Sequence, residues 1–134
     1  MMTGFATALL VAQALFAAYT AWLSLSRPSA FAGLLGLTLA GASGVNEIRS
    51  QYGGFFLAMA FVQGLAVADV LSLQAGLLIG AMTFGGLALG RIWSIIADRG
   101  VGGYTPTIRL LLLVDPLAFM LSVAVLAALQ AAPG

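Results

Sequence analysis

Two groups of polar residues stand out of an otherwise oily chain. The first is the stretch Asn46-Glu47-Ile48-Arg49-Ser50-Gln51-Tyr52, followed by Gly53 and Gly54. The second is spread over Arg91, Ser94 and Asp98, with Asp115 further along. Carboxylates such as Glu47, Asp98 and Asp115 can exchange protons, and arginines can hold anionic or carbonyl oxygens through several N–H donors at once. The whole charged inventory is five arginines and four carboxylates, with no lysine, and both histidine and cysteine are absent. Disulfides, thiolate metal sites and cysteine nucleophiles are thereby excluded, and transition-metal, haem and His-based triad chemistry lose their usual ligands and bases. Any chemistry runs on carboxylates, arginines, hydroxyls or a bound cofactor, whose identity the sequence leaves unknown.

The elements that position these residues follow from composition. The chain has 134 residues, of which 62% are hydrophobic and 7% charged, with mean hydropathy +1.11. A small soluble domain must cover itself with polar groups, so lipid is the solvent implied here. In hydrocarbon each unpaired backbone amide costs several kcal/mol, and uninterrupted apolar runs rather than alternation call for helices. The expected fold is all-α, a single integral membrane bundle of four transmembrane helices at 4–26, 52–68, 73–97 and 108–131, since a crossing needs about 20 apolar residues. The first is expected to be a retained helix, because it lacks the basic start of a signal peptide. Residues 28–45 are apolar but short and rich in glycine, which reads as a re-entrant or interfacial segment, with a fifth crossing as the alternative.

Arg27 and Arg49 flank the first connection and Arg91, Arg99 and Arg109 the third, whereas the second connection has no arginine. Positive charge collects on the cytoplasmic side, so a multi-pass protein of the bacterial inner membrane with its first and third connections in the cytoplasm is expected. Trp22, Tyr52, Trp93 and Tyr104 fall at that end, as an interfacial aromatic belt would. Gly76 and Gly80, then Gly86, Gly90 and Ser94, recur every four residues. Such strips let a second backbone approach, either inside the bundle or from a homo-oligomer or larger complex.

Arg91 and Asp115 lie about 10 Å inside the same end of the third and fourth spans at 1.5 Å per residue. A lone charge at such depth costs about 3 kcal/mol or more, so the two are expected to pair inside the bundle. The pair either fixes helix register or lines a ligand site. Glu47 and Arg49, opening the second span, are expected to join it in one polar site at the cytoplasmic mouth. On an α-helix Asn46, Arg49 and Gly53 would share a face.

The run Asn46, Glu47, Arg49, Tyr52, Gly53 and Gly54 resembles the N-E-x-R-x-x-Y-G-G signature of a family of small uncharacterised bacterial membrane proteins, distantly DoxX-like. Gly90, Arg91, Ser94 and Asp98 are similar to the family's later Gly-Arg, Ser and Asp positions. Asp115 stands where its fourth helix carries an acidic residue, usually glutamate. The resemblance covers about residues 27–129 and implies a fold without an established activity. The wider DoxX-like group has links to quinol oxidation and thiol stress, and a chain without cysteine does not fit the second.

Three functions compete. A binding or accessory protein would use Asn46, Glu47, Arg49, Tyr52, Arg91, Ser94, Asp98 and Asp115 to hold a membrane lipid, a quinone or another amphipathic head group, or to dock on a larger membrane complex. A proton-coupled transporter or a membrane enzyme would instead cycle protons on Glu47, Asp98 or Asp115. There is no polybasic tract for nucleic acid, no metal box, no phosphate loop and no dinucleotide fingerprint. Nor does the chain contain the internal repeat on which many transporters are built.

Overall fold

The computed structural model describes residues 1–97 and 103–131. Helix α1 runs Met2–Ser26, α2 Pro28–Leu34, α3 Gly41–Ile48, α4 Phe55–Val67, α5 Leu73–Ala97 and α6 Pro106–Ala131. A π turn, Arg49–Gly54, joins α3 to α4 without a break, and no strand forms among the described residues. Three of these helices, α1, α5 and α6, are long and apolar enough to cross a membrane. The expectation of four such helices is corrected on this point. The second expected span begins inside the π turn, and α4 alone has 13 residues, about 20 Å at 1.5 Å per residue, against a hydrocarbon core of about 30 Å.

Small and polar side chains, more than large apolar ones, mark the buried faces. On α1 the buried positions are Ala6, Leu10, Gln13, Ala17, Thr20, Ala21 and Ser24, while Phe5, Leu15, Tyr19 and Trp22 point outward. The buried set recurs every three or four residues, the seam of two helices lying nearly side by side. Helix α4 meets this seam with Phe56, Met59, Gln63 and Ala66, and α5 packs on α6. Ala6, Leu10, Ala66, Leu77 and Val125 form one core cluster, and Ala17, Ala21, Phe56, Met59 and Phe84 a second.

Between the two clusters lies a chain of buried amides. Gln63 donates through Nε2 to Gln13 Oε1 at 2.8 Å, Gln13 donates through Nε2 to Ser122 Oγ at 2.8 Å, and Ser122 donates to the Ala118 carbonyl at 2.8 Å. The chain ties α4, α1 and α6 together, and Gly80 of α5 sits against it: a Cβ there would collide with Gln13 Oε1 and come within 3.3 Å of Gln63 Nε2. Polar groups removed from water are costly unless paired, so these bonds fix how the helices meet.

Residues 28–40 contain only the seven-residue α2, a turn at Gly36 with φ +77° and an extended stretch, so no fifth crossing helix forms there. Pro28 opens α2, where its missing N–H costs nothing. Phe31 and Ala32 of α2, with Ile48 of α3, form a third small cluster that covers one end of the bundle.

The π turn sets which residues of the continuous α3–α4 rod face inward. Phe55 N–H bonds to Ser50 C=O, five residues back. Ile48 and Gly53, also five apart, are both buried, and beyond them Phe56 is buried while Phe55 is exposed. An uninterrupted α-helix starting from Ile48 would have turned Phe55 inward instead. Gly53 is needed because the turn presses on α1: a Cβ there would come within 2.5 Å of Leu25 Cδ2.

Candidate functional site

Arg91 and Asp115 meet as the matched depths predict. Arg91 Nε–H donates to Asp115 Oδ2 at 2.5 Å, with the Asp115 side chain 1% exposed and that of Arg91 20% exposed. Three residues along α5, the Ser94 and Tyr104 hydroxyls share a hydrogen bond of 2.9 Å. Both pairs line a cavity of about 650 Å³ between α1, α2, α5 and α6.

The cavity's walls are mostly apolar. Phe16, Leu23, Phe31 and Phe56 supply one side and Ile108, Leu111 and Leu112 another. Tyr52 closes a corner, its ring 5.0 Å from that of Phe31 and parallel to Phe56 at 6.4 Å. Gly86 and Gly90 form a smooth floor on α5, and a Cβ at either would meet nothing within 4 Å. The glycine strips of α5 therefore divide in two. Gly76, Gly80 and Gly85 have neighbours that a methyl would strike, whereas Gly86 and Gly90 border open space.

The roof is the turn after α2. Leu34, Leu35, Gly36 and Leu37 line the cavity, and Thr105 holds them in place by donating through Oγ1 to the Leu34 carbonyl at 2.8 Å. The same oxygen accepts from Ile108 N–H at 3.2 Å, capping the start of α6. A Thr105→Val variant keeps the shape and loses both bonds. We expect a loss of about 1–2 kcal/mol in reversible unfolding in mixed detergent micelles, with faster hydrogen exchange at the Gly36 and Leu37 amides.

Of the residues singled out in the sequence, Tyr52, Arg91, Ser94 and Asp115 surround this cavity. Asn46, Glu47 and Arg49 are exposed and do not line it, so the single connected site expected of Glu47, Arg49, Arg91 and Asp115 is not formed. The π turn is the reason: it rolls Gly53 onto α1 and leaves Asn46 and Arg49 on the outer face. Arg49 instead donates through Nε to the Leu25 carbonyl at 3.2 Å, satisfying a carbonyl of the last turn of α1. Asp98 lies outside the described residues, as do Arg99 and Gly102. The aromatic belt is also revised. Trp22 and Trp93 are exposed, at 55% and 70%, but Tyr52 and Tyr104 turn toward the cavity. Sequence reasoning missed Thr20, Tyr104 as a polar wall, the α2 roof and the buried Gln63–Gln13–Ser122 chain.

A family model described as Domain of unknown function (DUF4345) matches residues 5–126, nearly the whole chain. The chain belongs to this family. No curated protein and no solved structure matches it. In DUF4345 terms the match extends from α1 to the last turns of α6 and so includes every described residue that lines the cavity.

Proposed function

We propose that this DUF4345 protein is a multi-pass protein of the bacterial inner membrane that binds one small amphipathic molecule, a lipid or a quinone, by its head group. The observation that carries the reading is the cavity itself: apolar walls on most sides and a few convergent polar groups, Arg91, Asp115, Ser94 and Tyr104, on one. Such a combination of apolar lining and sparse, placed polar groups is typical of small-molecule sites. Transport and catalysis draw less support, because Glu47 lies outside the cavity and Asp115 is engaged by Arg91.

In this reading the rod from Arg49 to Val67 is the fourth crossing. It lies against α1, itself long enough to cross, and its π turn and α4 together have the length that α4 alone lacks. The DoxX-like likeness adds no residue to the site. Orientation follows the arginines, with the first and third connections cytoplasmic. A Gly102→Cys variant is then expected to react with a membrane-impermeant thiol reagent only in opened cells, and Ser72→Cys in intact ones. The opposite pattern would invert the topology.

The binding reading is tested by native mass spectrometry of gently solubilised protein. A retained small molecule is expected, and Gly90→Leu, whose side chain enters open space in the cavity, is expected to lose it while the fold persists. A retained protein subunit without a small molecule would replace this reading with an accessory role, and retention of neither would remove it.

A further inference from the structure

The cavity's polar side has a particular electrostatic character. Among the described residues, Arg91 and Asp115 are the only charged groups that line it, and they neutralise one another. Arg27, Glu47, Arg49 and Arg109 are all exposed and lie outside its lining. An anion placed at Arg91 would therefore also sit beside the Asp115 carboxylate, whose repulsion offsets much of the attraction of the guanidinium. The other polar side chains of the lining, Ser94, Tyr104 and Thr20 among them, all carry uncharged hydroxyls.

Yet the site is not short of donors. Arg91 uses Nε–H for Asp115, and its terminal nitrogens have no protein partner among the described residues. A guanidinium carries further N–H donors there and no acceptor at all, so its complement is an oxygen with lone pairs. A neutral carbonyl meets that need without the penalty of a second negative charge. The glycine floor of Gly86 and Gly90, facing the Phe16, Tyr52 and Phe56 side, leaves a broad, smooth space for the apolar part behind it.

Resting on the binding reading above, we infer that the cavity selects a neutral amphiphile bearing a carbonyl oxygen, received by the terminal N–H groups of Arg91, and discriminates against anionic head groups. Two sources offer this chemistry: the ester carbonyl of a neutral glyceride and the ring carbonyl of a quinone.

Titration of the full chain in dodecyl maltoside micelles, read by native mass spectrometry, separates the possibilities. The probes are dioleoylglycerol, decylubiquinone and dioleoyl phosphatidate. Dioleoylglycerol and phosphatidate share their acyl chains and differ in the phosphate, so their comparison needs no variant. At least one neutral probe is expected to bind about tenfold or more tightly than phosphatidate. Preference for dioleoylglycerol assigns the carbonyl to a lipid ester, and preference for decylubiquinone to a ring. Gly90→Leu is expected to abolish the neutral probe's binding, since it occupies the floor. Asp115→Asn, which leaves Arg91 with an uncompensated charge, is expected to raise phosphatidate affinity by about tenfold or more. Phosphatidate binding as tightly as the neutral probes to the unaltered protein would overturn the inference while leaving the binding reading intact. Neutral-probe binding that survives Gly90→Leu would also overturn it, as belonging to the outer lipid surface. If none of the three probes binds and no endogenous molecule is retained, the binding reading itself falls.

Discussion

Replacing Arg91 by methionine is expected to destabilise the protein by about 3–5 kcal/mol in reversible unfolding in mixed detergent micelles, because it strands the Asp115 carboxylate. That side chain is 1% exposed and Arg91 is its charged partner. The reverse change is milder. In Asp115→Asn the amide oxygen still accepts from Nε–H, and the guanidinium, 20% exposed, still borders the cavity, so only the ionic part of the interaction is lost and the expected cost is about 1–2 kcal/mol. Removing both charges, as Arg91→Met with Asp115→Leu, leaves neither ion to desolvate. The double variant is expected to be more stable than Arg91→Met alone. Losses that simply add would mean that the two groups act independently.

The pair was legible in the sequence because only depth had to be known. Two opposite charges at equal distance from one end of adjacent helices have few alternatives in hydrocarbon. Other features depended on local backbone geometry that residue types do not announce. The run from Asn46 to Gly54 reads as an uninterrupted α-helix with Asn46, Arg49 and Gly53 on one face and Glu47 and Gly54 on the adjoining one, but the π turn inserts a residue into the periodicity. As a result Gly53 and Phe56 face the bundle while Asn46, Glu47 and Arg49 face out. The short 28–45 segment was recognisable from its length. Its use as a roof depends on one long-range contact, Thr105 to Leu34, between residues that share no motif.

The buried faces were harder still. In a soluble helix the apolar stripe marks the inside, but α1 is apolar on every side, and its exposed residues include Phe5, Leu15 and Trp22. Lipid provides no apolar contrast, so the inward face is marked by small and polar side chains instead. Gln13, Gln63 and Ser122 are three such marks on three helices. Each taken alone is an unremarkable residue in an oily segment, and only the tertiary arrangement makes them one chain. Glycine is ambiguous in the same way. The four-residue spacing is shared by Gly76 and Gly80, where an added Cβ would strike other side chains, and by Gly86 and Gly90, where it would meet nothing within 4 Å.

That ambiguity yields the second large effect. Alanine at Gly80 would drive a methyl into Gln13 Oε1 and crowd Gln63 Nε2, which are bonded to each other. Gln13 is 4% exposed and Gln63 fully buried, so neither can swing into water to make room. Overpacking of a core costs about 1–3 kcal/mol. A broken buried amide bond adds about 1–3 kcal/mol, and the better helix propensity of alanine returns about 1 kcal/mol. Gly80→Ala is therefore expected to lose about 1–5 kcal/mol in the same unfolding assay. Gly86→Ala, on the same helix but beside open space, is expected to be neutral or stabilising by up to about 1 kcal/mol. The cause is isolated by a second background. In Gln13→Ala the obstructing amide is gone, and the added cost of Gly80→Ala should fall close to zero. A full cost persisting without Gln13 would assign the role of Gly80 to close backbone approach of α5, and equal effects at Gly80 and Gly86 would remove the distinction between a packed glycine and a cavity floor.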